Sequence, residues 1–120
     1  MGAKELVLEY YNLQAYANAE VLKRFIHNDI VLQWNSSKGY LELDKDDLLA
    51  LAAELNKSYI SSRVNISHII EEGDTVSVRY THYVHAFENP DEEMVLANFM
   101  VIWEIKDNQF YKGFLMSQLA

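Results

Sequence analysis

The chain has 120 residues, of which 50% are hydrophobic and 12% aromatic, enough to build the core of one folded domain. It contains no cysteine, which excludes disulfide scaffolds, cysteine metal centres and cysteine nucleophiles. Ten basic residues against eighteen acidic ones give a net charge of -8, so we expect no nucleic-acid partner. The apolar runs are far shorter than a membrane span, so we predict a soluble, cytoplasmic protein with no membrane partner.

Apolar residues at helical spacing predict helices in the first quarter of the chain. The first stripe consists of Leu6, Tyr10, Leu13 and Ala17. Asn18 is suited to cap a second, short helix that ends near Phe25, and residues 29–34 are predicted to form a strand. After a loop at residues 35–39, Asp44 is placed to cap a third helix. The buried face of this helix consists of Leu48, Leu49, Ala52 and Leu55.

Alternating strands joined by hairpins are predicted for the second half of the chain. Their ranges are 62–71, 75–87, 94–105 and 110–119. Short turns are expected at 72–74 and 107–108, and the acidic segment 88–93 is expected to form a solvated loop. Helices followed by strands predict an α+β fold, with the helices covering one face of a mostly antiparallel sheet.

The hairpin turns predict which side chains share a face of the sheet. Ile70 is expected opposite Val76 and Ile66 opposite Tyr80 in the first hairpin. In the last hairpin, Trp103 is expected opposite Lys112 and Val101 opposite Phe114, and matching the middle strands puts His82 near Phe99 and Tyr80 near Val101. The predicted inner face therefore carries Val64, Ile66, His68, Ile70, Val78, Tyr80, His82, Phe99, Val101, Trp103, Phe114 and Met116.

The opposite face is expected to carry more apolar side chains than a solvated surface needs. These are Tyr83, Met100, Ile102, Tyr111 and Leu115. A contiguous exposed apolar patch is typical of an interface, so we predict a homodimer through this outer sheet face. Scattered surface apolar residues are the alternative interpretation.

Two stretches of sequence resemble a known superfamily. The first runs from Glu5-Leu6-Val7-Leu8-Glu9-Tyr10-Tyr11 to Phe25 and Asp29, and the second is Phe99-Met100-Val101-Ile102-Trp103-Glu104-Ile105 with the following turn and Phe110. With the helix order, they resemble the nuclear transport factor 2-like superfamily, in its SnoaL-like and ketosteroid-isomerase-like branch. The resemblance implies one SnoaL-like domain over residues 1–120, a conical fold with three N-terminal helices on a curved sheet, and a pocket at the open end. It also implies members that are isomerases, dehydratases, cyclases, epoxide hydrolases or binding modules, many of them dimers.

Steroid-isomerase-like members use an acidic base, a tyrosine and a protonated aspartate. By the resemblance, the base position falls on Gln33 or Trp34, the aspartate position on Val101, and the tyrosine position on Glu9 or Tyr10. Only Tyr10 fits its role, so we expect no ketosteroid isomerase activity.

His82 is the candidate for proton transfer if the chain is catalytic. It shares the predicted inner face with Tyr80, and desolvation by aromatic neighbours is expected to lower its pKa. A structural histidine in the wall is the alternative interpretation, and it is the favoured one for His68. His82 and His85 differ by three in a strand and point to opposite faces, so we predict no metal site. No phosphate-binding loop or dinucleotide fingerprint is present, so no cofactor is expected.

The aromatic residues of the inner face predict a pocket for a small apolar or cyclic organic ligand. The expected lining residues are Tyr10, Gln33, Trp34, Tyr80, His82, Phe99, Val101, Trp103, Phe114 and Met116. Three hypotheses for function stay open: a small-molecule-binding protein, a cofactor-free lyase, isomerase or hydrolase that uses His82 and tyrosines, and a protein–protein interaction module.

Overall fold

The structure is a computed structural model and describes residues 2–120. The helices are α1 (Ala3–Asn12), α2 (Ala19–Phe25) and α3 (Lys45–Ser58), with a 3₁₀ turn at Ala15–Ala17 between the first two. The strands are β1 (Ile26–Ser36), β2 (Gly39–Leu43), β3 (Ser61–Glu72), β4 (Thr75–Ala86), β5 (Asn89–Lys106) and β6 (Gln109–Leu119). The α+β prediction is confirmed: three helices pack against one curved, mostly antiparallel sheet. None of the helices in this part of the chain has the length and apolarity needed to cross a membrane.

The two predicted helix caps are confirmed. The Asn18 side chain accepts a hydrogen bond from the Val21 backbone N–H, which starts α2. Asp44 and Asp47 form a reciprocal capping box at the start of α3. The first predicted helix is shorter than its apolar stripe, because Gln14 adopts a left-handed φ of 53° that ends the helical path after Asn12.

The six strands form a single sheet in the order β2-β1-β6-β5-β4-β3. β1 runs parallel to β6, and every other neighbouring pair is antiparallel. Within the predicted loop at residues 35–39, only residues 37–38 form a turn. The chain reverses there, and the strand β2, which was not predicted, pairs back on β1. Gly39 makes this possible with a φ of 121°, and its carbonyl oxygen accepts a hydrogen bond from the Ser36 hydroxyl.

A bulge in β3 overturns part of the first predicted register. Ile66 lies opposite Tyr80 as expected, but the pairing resumes at His68 opposite Arg79, so Ser67 is the extra residue. The Ser67 hydroxyl donates to the Arg79 carbonyl oxygen and accepts from its guanidinium, which holds the bulge. Ile70 then lies opposite Ser77, and the predicted inward positions of His68 and Ile70 are wrong, since both are exposed.

A second bulge, at Tyr111 in β6, has a larger effect on the predicted faces. Ile105 pairs with Phe110 as the turn predicts, but Glu104 pairs with Lys112, so the rest of β6 is shifted by one residue. Trp103 therefore lies opposite Gly113, and Val101 lies opposite Leu115. A one-residue shift moves every following side chain to the other face.

The middle strands are shifted by two residues from the predicted pairing. Tyr80 lies opposite Phe99, and His82 lies opposite Ala97. A shift of two keeps each side chain on its predicted face, since side chains alternate with a period of two. Tyr80 and His82 therefore lie on the inner face, under the helices.

Candidate functional site

A cavity of about 360 Å³ lies between the helices and the inner face of the sheet. Tyr16 of the 3₁₀ turn and the leucines of α3 form its cover, and β1, β4, β5 and β6 form its floor. Its mouth lies beside the β1–β2 turn, where the lining residues Lys38, Leu41 and Leu119 are exposed. The wall is overwhelmingly apolar, which is typical of sites for organic molecules.

Six of the residues predicted from the sequence line this cavity. They are Tyr10, Trp34, Tyr80, His82, Phe99 and Trp103. They come from α1, β1 and the consecutive strands β4 and β5, so the fold brings together both halves of the chain.

Four other predicted residues do not line it. Gln33 is exposed on the outer face, because β1 alternates and buries Leu32 beside it. Val101 is buried in the core without reaching the cavity. Phe114 and Met116 lie on the outer face, since the bulge at Tyr111 turns them away from the helices. Their place on the inner face is taken by Leu115 and Ser117, which line the cavity together with Leu119.

The aromatic wall is held in place by ring stacking and one polar contact. The rings of Tyr80 and Phe99 are parallel, with an interplanar angle of 9° and centroids 4.9 Å apart. The Trp34 indole N–H donates to the Ser117 hydroxyl at 2.8 Å, which fixes the indole across the β1–β6 pair. These contacts fix the orientations of the aromatic rings that line the cavity.

Three buried tyrosines are in ring contact at this wall, with Tyr11 between Tyr10 and Tyr80. Burial raises the pKa of Tyr10, Tyr11 and Tyr80 above the ordinary tyrosine value. The Trp103 indole N–H donates to the Tyr11 hydroxyl at 3.2 Å, which gives both groups a partner inside the core. At neutral pH these phenols stay protonated, so they are suited to donate hydrogen bonds and not to act as bases.

His82 is the buried imidazole of the cavity. Its exposed fraction is 4%, and burial lowers its pKa to about 4. At neutral pH the ring is therefore uncharged and keeps a free lone pair on one nitrogen. Its Nε2 atom is buried without a hydrogen-bond partner in the protein.

Tyr16 is one of the cavity residues that were not predicted from the sequence. Its ring meets His82 edge to face, with centroids 5.0 Å apart, and its hydroxyl is also buried without a partner. Burial raises the pKa of Tyr16, and the nearby Ser62 hydroxyl lowers it without reaching hydrogen-bond geometry. The sequence predicts a helical stripe that runs through this segment to Ala17, but the left-handed backbone at Gln14 interrupts the helix and changes where Tyr16 lies.

No group of three or more His, Asp or Glu side chains within residues 2–120 is arranged to hold a metal ion. His85 lies away from the cavity, with its Nδ1 atom 3.1 Å from the Pro90 carbonyl oxygen. Carboxylates are missing from the cavity lining in this part of the chain, so proton transfer there has only imidazole and phenol groups available.

The outer face of the sheet carries a second feature, an apolar patch. We define the outer patch as Met100, Ile102, Phe114 and Met116, which pair across β5 and β6. The exposed fractions of Met100 and Met116 are 55% and 66%. Leu115 was expected here, but it is buried on the inner face, so that part of the prediction is wrong.

Solved structures with this fold are numerous, and three illustrate its range. The proposed polyketide cyclase IdmH from Streptomyces antibioticus has a TM-score of 0.80 at 15% identity, over 98% of this chain and 92% of that one. The proposed hydroxylase AclR from Streptomyces galilaeus has a TM-score of 0.78 at 16% identity, over 98% of this chain and 79% of that one. A protein with a ketosteroid isomerase-like fold from Catenulispora acidiphila, solved with trimethylamine, has a TM-score of 0.73 at 12% identity, over 92% of this chain and 83% of that one. Identities this low establish the shared fold alone.

Comparison of the sequence itself gives the family. No curated protein matches it significantly. A family profile described as the SnoaL-like domain matches residues 7–112, which is most of the chain. The resemblance in the sequence is thereby confirmed, and the chain belongs to the SnoaL-like domain family, within the nuclear transport factor 2-like superfamily.

Proposed function

We propose that this chain binds a small, largely apolar ring compound in the cavity under its helices. The observation that carries the proposal is the cavity itself, about 360 Å³ of space bounded by aromatic rings and leucines. Its size falls at the lower end of the usual range for organic ligands. The stacked rings of Tyr80 and Phe99 both line the cavity, so aromatic carbon is available for contact with a ligand ring.

One solved neighbour supports this class of ligand. IdmH is described as a proposed polyketide cyclase, and cyclisation forms a ring. The cavity of this chain is lined by apolar side chains, and this lining suits ring compounds.

A neutral fluorescent dye tests the proposal directly. N-phenyl-1-naphthylamine, whose emission rises in apolar surroundings, is titrated into the wild type and two matched variants. Leu96→Trp fills the cavity from its half-buried lining, and Ile70→Trp adds the same ring at an exposed site on β3. We expect saturable binding that Leu96→Trp weakens by about tenfold or more and Ile70→Trp leaves unchanged. Equal binding by both variants, or none by the wild type, would contradict the proposal.

Catalysis is the second candidate function, and His82 is the observation that favours it. A neutral imidazole inside an apolar cavity can accept a proton from a carbon acid, while a tyrosine hydroxyl donates to the substrate oxygen. The test is exchange of the α-hydrogens of 2-tetralone in D₂O, followed by NMR. A catalyst would accelerate exchange over buffer, and His82→Phe would abolish the acceleration. Exchange at the buffer rate would leave binding as the function.

We also infer that the outer patch joins two copies of the chain. Its cross-strand neighbours are Arg79, Ser77, Gln33 and Asn35, none of which is acidic. The carboxylate nearest along β5 on this face is Glu104, and Lys112 lies opposite it, so two chains of net charge -8 can meet here with that charge balanced. A two-fold contact needs one self-complementary patch, and neighbouring Met, Ile and Phe side chains supply one.

Analytical ultracentrifugation of two arginine variants tests this inference. Ile102→Arg places a charge within the outer patch, and Ile70→Arg places one on an exposed apolar residue elsewhere. We expect a dimer for the wild type and for Ile70→Arg, and a folded monomer for Ile102→Arg. A monomeric wild type would instead favour a different protein as the partner of this face. The cytoplasmic location stays a prediction from the sequence.

A further inference from the structure

Two buried polar atoms on the cavity wall have no partner in the protein. Across residues 2–120, the Tyr16 hydroxyl oxygen and His82 Nε2 are the side-chain atoms in this condition. Buried polar groups in folded proteins are nearly always hydrogen-bonded, because leaving one unpaired costs the free energy of its lost hydration. The Ser62 hydroxyl lies near the Tyr16 hydroxyl but does not reach hydrogen-bond geometry, so both polar atoms keep the capacity to bind a ligand group.

The two atoms belong to one site. Tyr16 projects from the 3₁₀ turn above the sheet and His82 from the middle of β4, and both line the same cavity. Their rings pack edge to face, with centroids 5.0 Å apart and an interplanar angle of 67°. Phe99 adds a third ring, with its centroid 6.3 Å from that of His82. The side chains of Tyr16 and His82 thus lie together at an aromatic corner of the cavity.

The surroundings of this corner select against charged partners. Among the described cavity-lining residues, Lys38 is the one with a charged side chain, and it is exposed at the mouth. A carboxylate or ammonium group placed beside Tyr16 and His82 would be buried without a counter-ion, which is strongly unfavourable. A neutral polar group avoids this penalty.

The hydrogen-bonding capacity of Tyr16 and His82 limits which neutral group of a ligand can bind both of them. The Tyr16 phenol stays protonated at neutral pH, since burial raises its pKa, and it can donate. The neutral His82 ring has one nitrogen that accepts. A hydroxyl group accepts through its oxygen and donates through its hydrogen, so one hydroxyl can serve both residues.

We propose that Tyr16 and His82 form the polar anchor of the cavity and bind one hydroxyl group of a neutral, otherwise apolar ring compound. The Tyr16 hydroxyl donates to the ligand oxygen, and the ligand hydroxyl donates to His82 Nε2, with the ring in the tautomer that carries its proton on Nδ1. This inference rests on the proposed function and names the substrate class of the same cavity: hydroxylated ring compounds, such as phenols, in preference to the parent hydrocarbons.

A pair of probes that differ by one hydroxyl tests the anchor. The affinities of 2-naphthol and naphthalene are measured by ligand-observed NMR at pH 7, where both are neutral. We expect the wild type to bind 2-naphthol about tenfold more tightly or better, the effect of pairing buried polar groups that naphthalene leaves unpaired. Tyr16→Phe and His82→Phe should each reduce this preference to about threefold or less without weakening naphthalene binding.

Matched controls and a coupling measurement separate the anchor from general effects. His68→Phe and Tyr40→Phe make the same chemical changes at exposed sites outside the cavity, and both should keep the full preference. In the double variant Tyr16→Phe/His82→Phe, the losses should be less than additive, because the two residues bind one group. If His82→Phe does not fold, Tyr16→Phe decides alone, since it removes a single oxygen from a half-buried ring.

The outcomes distinguish this proposal from the proposed function. Naphthalene binding with no preference for 2-naphthol would overturn the anchor and leave the ligand cavity standing. A preference that survives Tyr16→Phe would also overturn the anchor. Failure of both probes to bind would overturn the anchor and the proposed function together.

Discussion

The two ends of the inner face carry similar aromatic side chains and use them differently. At the closed end, Phe110 is fully buried outside the cavity, and the rings of Tyr10 and Trp103, which border the cavity, pack on it with centroid distances of 4.8 and 4.6 Å. At the open end, Phe99 stacks on Tyr80 but faces the cavity. Aromatic composition alone therefore does not distinguish a core from a binding site.

The helical cover accounts for the difference. At the closed end, α1 and α2 bring Tyr10 and Phe25 onto Phe110. At the open end, the left-handed Gln14 interrupts the helical path, and the cover consists of one 3₁₀ turn and the leucines of α3. A short turn reaches less far over the sheet than a helix, and space is left beneath it.

The largest expected effect compares two phenylalanine truncations. Phe110→Ala should lower the free energy of unfolding by about 4 kcal/mol, because it empties a fully packed site. Phe99→Ala should cost about half as much, since its ring already borders open space. Urea unfolding of both variants gives the two values. Equal losses would mean that the open end is packed as tightly as the closed end.

Titration of His82 supplies the second test, at the open end. Its folded-state pKa of about 4 lies below the value of about 6.5 in the unfolded chain, so the unfolded state binds more protons between these values. The contribution of neutral His82 to the free energy of unfolding is therefore fully present above about pH 6.5. It is lost as the pH falls toward 4, and the total loss is about 3 kcal/mol.

His82→Phe isolates this contribution from those of the carboxylates. Unfolding free energies of the wild type and the variant are compared at pH 7 and at about pH 4.5. The wild type should lose more stability on acidification than His82→Phe does, while His68→Phe, an exposed control, should behave like the wild type. Parallel pH profiles for the wild type and His82→Phe would show that the ring is hydrated and not buried in the cavity.

The fold was predictable from the sequence where local chemistry decides it. Asn18 and Asp44 act as caps because their short side chains reach the first free N–H groups of a helix. β4 alternates as predicted because its apolar residues recur strictly at every second position. β2 was missed because its sequence, Gly-Tyr-Leu-Glu-Leu, is short and is paired on β1 along one edge only.

The bulges were not predictable, and they decide much of the site. Nothing in the sequence around Tyr111 marks it as an extra residue, although Lys106 and His27 pack against its ring once the strand is formed. Its insertion exchanges Phe114 and Met116 for Leu115 and Ser117 on the cavity side. Tyr16 was missed for a related reason, since one residue with left-handed backbone changes where the following turn points.

The smallest expected effect returns to the closed end and tests the shifted register itself. A Cβ atom at Gly113 would lie 2.5 Å from Leu32 Cδ1 and 2.6 Å from Trp103 Cζ3, because the bulge at Tyr111 places Gly113 directly under the indole. Gly113→Ala should therefore lower the free energy of unfolding by about 2 kcal/mol, the usual effect of overpacking a core. The unshifted register would instead turn position 113 outward, where alanine is harmless or stabilising in a strand. Ser117→Ala is the comparison at the open end: it adds no atom and should cost about 1 kcal/mol through the lost Trp34 hydrogen bond. An unchanged free energy of unfolding for Gly113→Ala would contradict the packing of Trp103 on β6. It would also contradict the inward positions of Leu115 and Ser117, which form part of the cavity floor.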